Sequence, residues 1–133
     1  MQRGTMVRST GREPSSRPDH APLSSAAFYT LFALAEDEAH GYAIMQAVKS
    51  LSGGGFSMGP ATLYTTIGRL LQARLIKETT NEKPVKELGR GRRFYKLTAL
   101  GRTAFDEELR RMAHAIKRAK LDNLVPGNAD GLE

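Results

Sequence analysis

Between Gly53 and Arg74 the chain reads Gly-Gly-Gly-Phe-Ser-Met-Gly-Pro-Ala-Thr-Leu-Tyr-Thr-Thr-Ile-Gly-Arg-Leu-Leu-Gln-Ala-Arg, and this stretch constrains everything around it. Glycine accepts backbone angles closed to other residues, so Gly53-Gly54-Gly55 predicts a flexible turn. Pro60 suits the first position of a helix, where a missing N–H costs nothing. Behind it Leu63, Ile67, Leu70 and Leu71 recur at three- and four-residue steps, the buried stripe of a helix running to about Ala73. Thr62, Thr65, Thr66 and Arg69 lie largely off that stripe and are short or planar hydrogen-bonding groups. A helix with an apolar back and such a front is what a DNA major groove admits. An amphipathic helix with a merely solvated face is the plainer reading, and the rest of the chain has to decide between them.

Upstream, Ser24 or Ser25 can cap a helix over Ala26 to Ala35. Phe28, Leu31, Phe32 and Ala35 form its stripe and Ala27 and Leu34 widen it, so this helix belongs at the centre of the fold or against a partner. Glu36-Asp37-Glu38 ends it. A second helix is expected from Gly41 to Ser52, with Ile44, Val48 and Leu51 inward and Met45 filling space near them. Two helices joined by a glycine-containing turn make a helix-turn-helix unit. The connection, Gly53 to Gly59, is longer than the tight form, which points to a winged variant. Leu75 to Thr80 and Arg92 to Leu97 then read as two strands of a hairpin. Between them Lys83, Lys86, Arg90, Arg92 and Arg93 gather with Gly89 and Gly91, a basic wing whose glycines let backbone approach phosphates closely.

Thr98 caps a last helix, Ala99 to about Asn123, in which Phe105, Leu109, Met112, Ile116 and Ala119 follow heptad spacing. A seam that long on a domain with a small core predicts a dimer contact. The expected organisation is therefore a disordered basic arm over 1–22, a winged helix-turn-helix domain over 23–98, a dimerisation helix over 99–124 and a flexible tail over 125–133. The fold class is α+β, mostly α.

Composition narrows the function. With 133 residues there is room for one modest core. Twenty Lys+Arg against fourteen Asp+Glu leave a charge of +6, which fits an anionic partner. The chain has no cysteine, so disulfides and thiolate metal sites are excluded. No apolar run approaches the roughly 20 residues of a membrane span, and no apolar segment follows the N-terminal arginines as in a secretory signal. A cytoplasmic protein without membrane contact is expected. His20, His40 and His114 join no acid or sulfur cluster, so no metal is expected, and His40 reads as a capping or packing residue. Gly53-Gly54-Gly55 lacks the Gly-Lys-Ser/Thr ending of a P-loop. No Ser, His and Asp set stands out as a triad. The expectation is no enzyme and no cofactor.

Several pieces in order resemble the PadR family of winged-helix transcriptional regulators, over about residues 24–105. They are His40-Gly41-Tyr42, the segment Gly54 to Tyr64, Arg69-Leu70, Leu75-Ile76, and the run Gly89-Arg90-Gly91-Arg92-Arg93-Phe94-Tyr95-Lys96-Leu97-Thr98-Ala99-Leu100-Gly101-Arg102. The C-terminal part is similar to that of smaller members with a single dimerising helix. Three positions depart from the family pattern: Thr65 stands where a proline is frequent, Arg74 where a glycine commonly ends the recognition helix, and Gly68 lies mid-helix.

The resemblance implies a homodimeric regulator, usually a repressor, that sets two recognition helices into successive major grooves of a (pseudo)palindromic operator on double-stranded DNA. Thr62, Thr65, Thr66 and Arg69 would touch bases or phosphates. Tyr64 divides evenly between core packing and a phosphate contact. Lys83, Lys86, Arg90, Arg92 and Arg93 would grip the backbone or minor groove. Phe28, Phe32, Phe105, Leu109, Met112 and Ile116 form the expected dimer interface. Relatives respond to small aromatic or drug-like effectors, and Phe28, Tyr29, Phe32, Phe105, Leu109 and Met112 would line a space for one; plain packing is the commoner use of such a stripe. Two other function classes stay open, a winged-helix adaptor that binds protein and a non-specific architectural DNA binder.

Overall fold

A computed structural model describes residues 22–79 and 93–125. Residues 1–21 of the expected 1–22 arm, the expected wing residues Lys83, Lys86, Arg90 and Arg92, and residues 126–133 of the expected 125–133 tail lie outside the described residues. The elements run α1 (Ser25–Glu36), β1 (Ala39–His40), α2 (Gly41–Leu51), α3 (Pro60–Gln72), β2 (Ile76–Thr79), β3 (Phe94–Leu97) and α4 (Ala99–Leu121). The three strands form one antiparallel sheet in the order β1-β3-β2. This is a winged-helix architecture, mostly helical. β1 is absent from the sequence expectation. Two residues carry no alternation of their own, and the strand exists because Ala39 and His40 pair with Tyr95 and Phe94.

Each helix starts where its local chemistry directs. The Ser24 hydroxyl accepts from the Ala27 amide at 3.1 Å, an N-cap that satisfies an orphan donor of α1. Pro60 occupies the first turn of α3. The Thr98 hydroxyl accepts from the Gly101 amide at 3.0 Å and opens α4. His40 caps α2, its Nδ1 accepting from the Ala43 amide at 3.3 Å, while its ring meets Phe94 edge-on at 5.2 Å between centroids.

The ends of α2, α3 and α4 share one device. Gly53 and Gly54 donate to the carbonyls of Ser50 and Lys49, Arg74 and Leu75 to those of Leu71 and Leu70, and Asn123 and Leu124 to those of Lys120 and Ala119. Each pair is a Schellman motif whose first residue must take a left-handed backbone. Gly53 does so at φ 65° without strain, Asn123 at φ 59° with little, and Arg74 at φ 65° against its own Cβ. The turn after α2 is held closed rather than left loose: the Ser52 hydroxyl donates to the Phe56 carbonyl at 2.9 Å and accepts from the Phe56 amide at 3.0 Å.

The core gathers around α1, with Leu31, Ile44, Val48 and Leu63 fully buried and Leu34, Ile67, Leu70, Leu75, Ile76 and Ala104 nearly so. Burying one such aliphatic side chain contributes about 1.5–3 kcal/mol, so these residues carry most of the fold's stability. α1 buries Leu34 more deeply than the expected stripe members Phe32 and Ala35, which are half-buried. Thr30 also lies wholly inside the core.

Candidate nucleic-acid interface

α3 divides cleanly into two sides. Leu63, Thr66, Ile67 and Leu70 are buried, while Ala61, Thr62, Tyr64, Thr65, Gly68, Arg69 and Gln72 are exposed. The outward side therefore holds hydroxyls, one guanidinium, one amide and two small residues that leave the backbone accessible. Thr66 is a correction: it is 7% exposed and its side chain joins the inward side beside Ile67. Position 66 falls three residues after Leu63 and four before Leu70, so helical spacing itself puts it on the buried stripe. Tyr64 is 53% exposed, which removes it from the core. Its ring lies along the start of α2, where a Cβ on Gly41 would come within 2.5 Å of the Tyr64 hydroxyl oxygen. Glycine at 41 thus seats Tyr64 beside the α2 N-terminus.

The root of the wing continues this surface. Burial raises the Tyr95 hydroxyl above its usual pKa, the Glu78 carboxylate adds to that rise, and the Arg93 guanidinium opposes it by charge and hydrogen bonding; Tyr64 is near enough to contribute too. Tyr64, on the exposed side of α3, is thus within electrostatic reach of Tyr95 at the hairpin base, and α3 packs against β2 of that hairpin. Arg93 is exposed and forms a 3.4 Å ion pair with Glu78 across the two strands. Beside it Lys77 and Lys96 are opposed in register and both exposed. Like charges placed directly opposite are mildly destabilising in a sheet, so this hairpin root favours an anionic neighbour.

The residues expected at the dimer contact separate into two groups. Phe28 and Phe105 are buried at 6% and 5% exposure, stacked at 5.5 Å between centroids. They are core residues of one protomer, which corrects their assignment to an interface. Phe32 packs on the same Phe105 ring at 5.3 Å and is half-buried. Leu109, Met112 and Ile116 are each 39% exposed, all outside the core. Spacing alone could not separate these groups, because heptad periodicity names a helix face without naming what covers it.

The deepest residues of α4 are Gly101, Ala104, Phe105 and Glu108. Glu108 is buried and paired with Arg111 at 2.7 Å. From Leu109 to Leu121 no residue of α4 is buried. That length, roughly 20 Å of helix, stands clear of the described protomer with Leu109, Met112 and Ile116 along it. Among the described residues no group of three or more His, Cys, Asp or Glu could hold a metal ion, and no helix is long and apolar enough to cross a membrane.

Comparison with known proteins places these features in a family. The model of the Transcriptional regulator PadR-like family matches residues 30–107. An uncharacterized 37.1 kDa protein in transposon TN4556 of Streptomyces fradiae is 34% identical over 110 residues, which cover 83% of this chain. The chain spans 29% of that relative's length. Among solved structures, a PadR family transcription regulator from Clostridium difficile R20291 superposes with a TM-score of 0.61 at 20% identity, covering 74% of this chain and 97% of that one. A transcriptional regulator from Clostridium thermocellum gives 0.59 at 19% identity, covering 76% and 90%. At such identities the structures share the fold.

Proposed function

The chain belongs to the PadR-like family of transcriptional regulators, which bind DNA, and we propose that it works as a homodimeric repressor that occludes a (pseudo)palindromic operator. One observation carries the reading: α3 buries Leu63, Thr66, Ile67 and Leu70 and turns Thr62, Tyr64, Thr65 and Arg69 to solvent, and it packs against β2 of the hairpin. Hydroxyls and a planar guanidinium on a helix of ordinary width suit base edges and phosphates in a major groove. In this arrangement Arg69 supplies a bidentate contact, Thr62 and Thr65 fix register, and Arg93 leads into the wing cations Lys83, Lys86, Arg90 and Arg92.

The second protomer pairs through the outer half of α4. A helix of about 13 residues is marginal by itself in water, so a stretch standing clear of its own domain is supported best by a copy of itself along Leu109, Met112 and Ile116. Paired helices would place the two α3 surfaces about one duplex turn apart. Phe28 and Phe105 stack on each other inside one protomer, so two of the six residues expected to line an effector space are already used, and the proposal includes no effector.

The test is an electrophoretic shift with the duplex upstream of the protein's own gene and a scrambled competitor. Selective binding whose logarithm falls linearly with the logarithm of salt supports the reading. Equal affinity for both duplexes would indicate an architectural binder, and no duplex binding at any salt a protein adaptor. Arg69→Ala should weaken the selective complex by about 1–3 kcal/mol if the guanidinium reads a base, whereas a uniform loss on every duplex would assign it to a phosphate.

A further inference from the structure

The junction between α3 and α4 has no slack. Arg74 and Leu75 close α3 by donating to the Leu71 and Leu70 carbonyls, both at 3.0 Å. The carbonyls of the same two residues are then taken by Thr98. Its hydroxyl donates to the Arg74 oxygen at 2.7 Å, and its amide donates to the Leu75 oxygen at 3.1 Å. That hydroxyl also accepts from the Gly101 amide at 3.0 Å to start α4. One side chain is therefore the cap of the last helix and a clasp on the end of the recognition helix. Gly101 brings the two closer still, since a Cβ built there would lie 1.9 Å from the Leu75 carbonyl oxygen and 2.9 Å from its carbon. Backbone rests on backbone, with no flexible side chain between to absorb a displacement.

We infer that Thr98 and Gly101 are positioning residues for DNA reading, locking the direction of α3 to that of α4 so that the pairing of two α4 helices fixes the separation of two recognition surfaces. The inference rests on the dimer proposed above. A dimer reads half-sites at a set spacing only if its two reading helices are held at a set separation, and a joint with one free rotor would let that separation wander. Here Thr98 removes the rotor with three hydrogen bonds, and Gly101 removes the gap.

The chain has no cysteine, so a single Gln72→Cys substitution at the exposed end of α3 accepts one nitroxide per protomer, and pulsed dipolar spectroscopy of the dimer reads the distance between the two. Thr98→Val, which keeps the shape and loses the hydroxyl, should broaden that distance distribution, and Thr98→Ser should restore the parent's width. Gly101→Ala should move the mean: ordinary contact lies near 3.4 Å, so α4 retreats by about 1.5 Å in each protomer, a change of up to about 3 Å across the pair. Should Gly101→Ala fail to fold, the Thr98 pair carries the test alone. A purely stabilising role would lower the Tm of Thr98→Val and leave its distribution as narrow as the parent's, and that result overturns the inference while the dimer stands. A labelled parent that sediments as a monomer with no inter-protomer distance overturns the dimer reading and this inference with it.

Discussion

Arg74→Gly should make the protein more stable. Arg74 is the first residue past the α3 cap and holds φ 65°, a left-handed backbone that costs a residue with a Cβ about 1–2 kcal/mol. The conformation is imposed, because the Arg74 and Leu75 amides reach the Leu71 and Leu70 carbonyls, each at 3.0 Å, only from it. Glycine removes the steric cost but adds freedom to the unfolded chain, a penalty of about 0.4–1 kcal/mol. Taken at the middle of both ranges, the net gain is about 0.5–1 kcal/mol. For a folded unit of this size that corresponds to a rise in Tm of roughly 2–8 °C, measured by circular dichroism at one fixed protein concentration, because the Tm of the proposed dimer would depend on it. The Arg74 carbonyl is untouched, so its bond from Thr98 persists. Arg74→Ala is the control: it removes the same guanidinium and keeps the Cβ, so it should bring no comparable gain. A Tm for Arg74→Gly at or below the parent's, or an equal rise in Arg74→Ala, would refute the backbone argument.

Three further outcomes are expected. Gly68→Ala adds a methyl that meets nothing within 4 Å, so the full helix-propensity gain of about 0.8–1 kcal/mol should appear in a urea titration; an unchanged midpoint would mean that the last turns of α3 are not helical in solution. In the proposed dimer, Leu109→Glu places a carboxylate on the pairing face of both protomers, and two unpaired buried charges should raise the dissociation constant by more than about 100-fold; a variant that still sediments as a dimer like the parent would show that the pair forms through another face. Tyr95 has its hydroxyl pKa raised above 10.0, by burial first and Glu78 second. The unfolded chain therefore loses this proton at lower pH than the folded one. Stability from this group is complete below about pH 10 and is lost as pH climbs through the raised folded value. Tyr95→Phe should flatten that alkaline decline, and equal slopes for the two proteins would remove Tyr95 as its cause.

The helices are legible in the sequence, because what starts and stops a helix acts over three or four residues. Ser24, Pro60 and Thr98 open helices by satisfying or lacking nearby amides, and Gly53 closes one by taking a backbone angle others resist. The inward side of α3 followed from Leu63, Ile67 and Leu70 for the same reason. Arg74, marked in the sequence as a departure from a family glycine, proved to sit at the left-handed position that glycine fills best.

Which residue of a pattern meets which neighbour is another kind of fact, settled by chain segments far apart in sequence. β1 exists only through Phe94 and Tyr95. Phe105 and Leu109 share one heptad seam, yet Phe105 stacks on Phe28 while Leu109 lies beyond the reach of its own core. The clasp of Thr98 on Arg74 joins positions 24 residues apart, and no periodicity announces it. Short-range hydrogen bonding and periodic polarity thus set where the elements lie along the chain. Long-range packing, which depends on the shape and extent of each neighbour, decided which faces stay open to a nucleic acid or a second protomer.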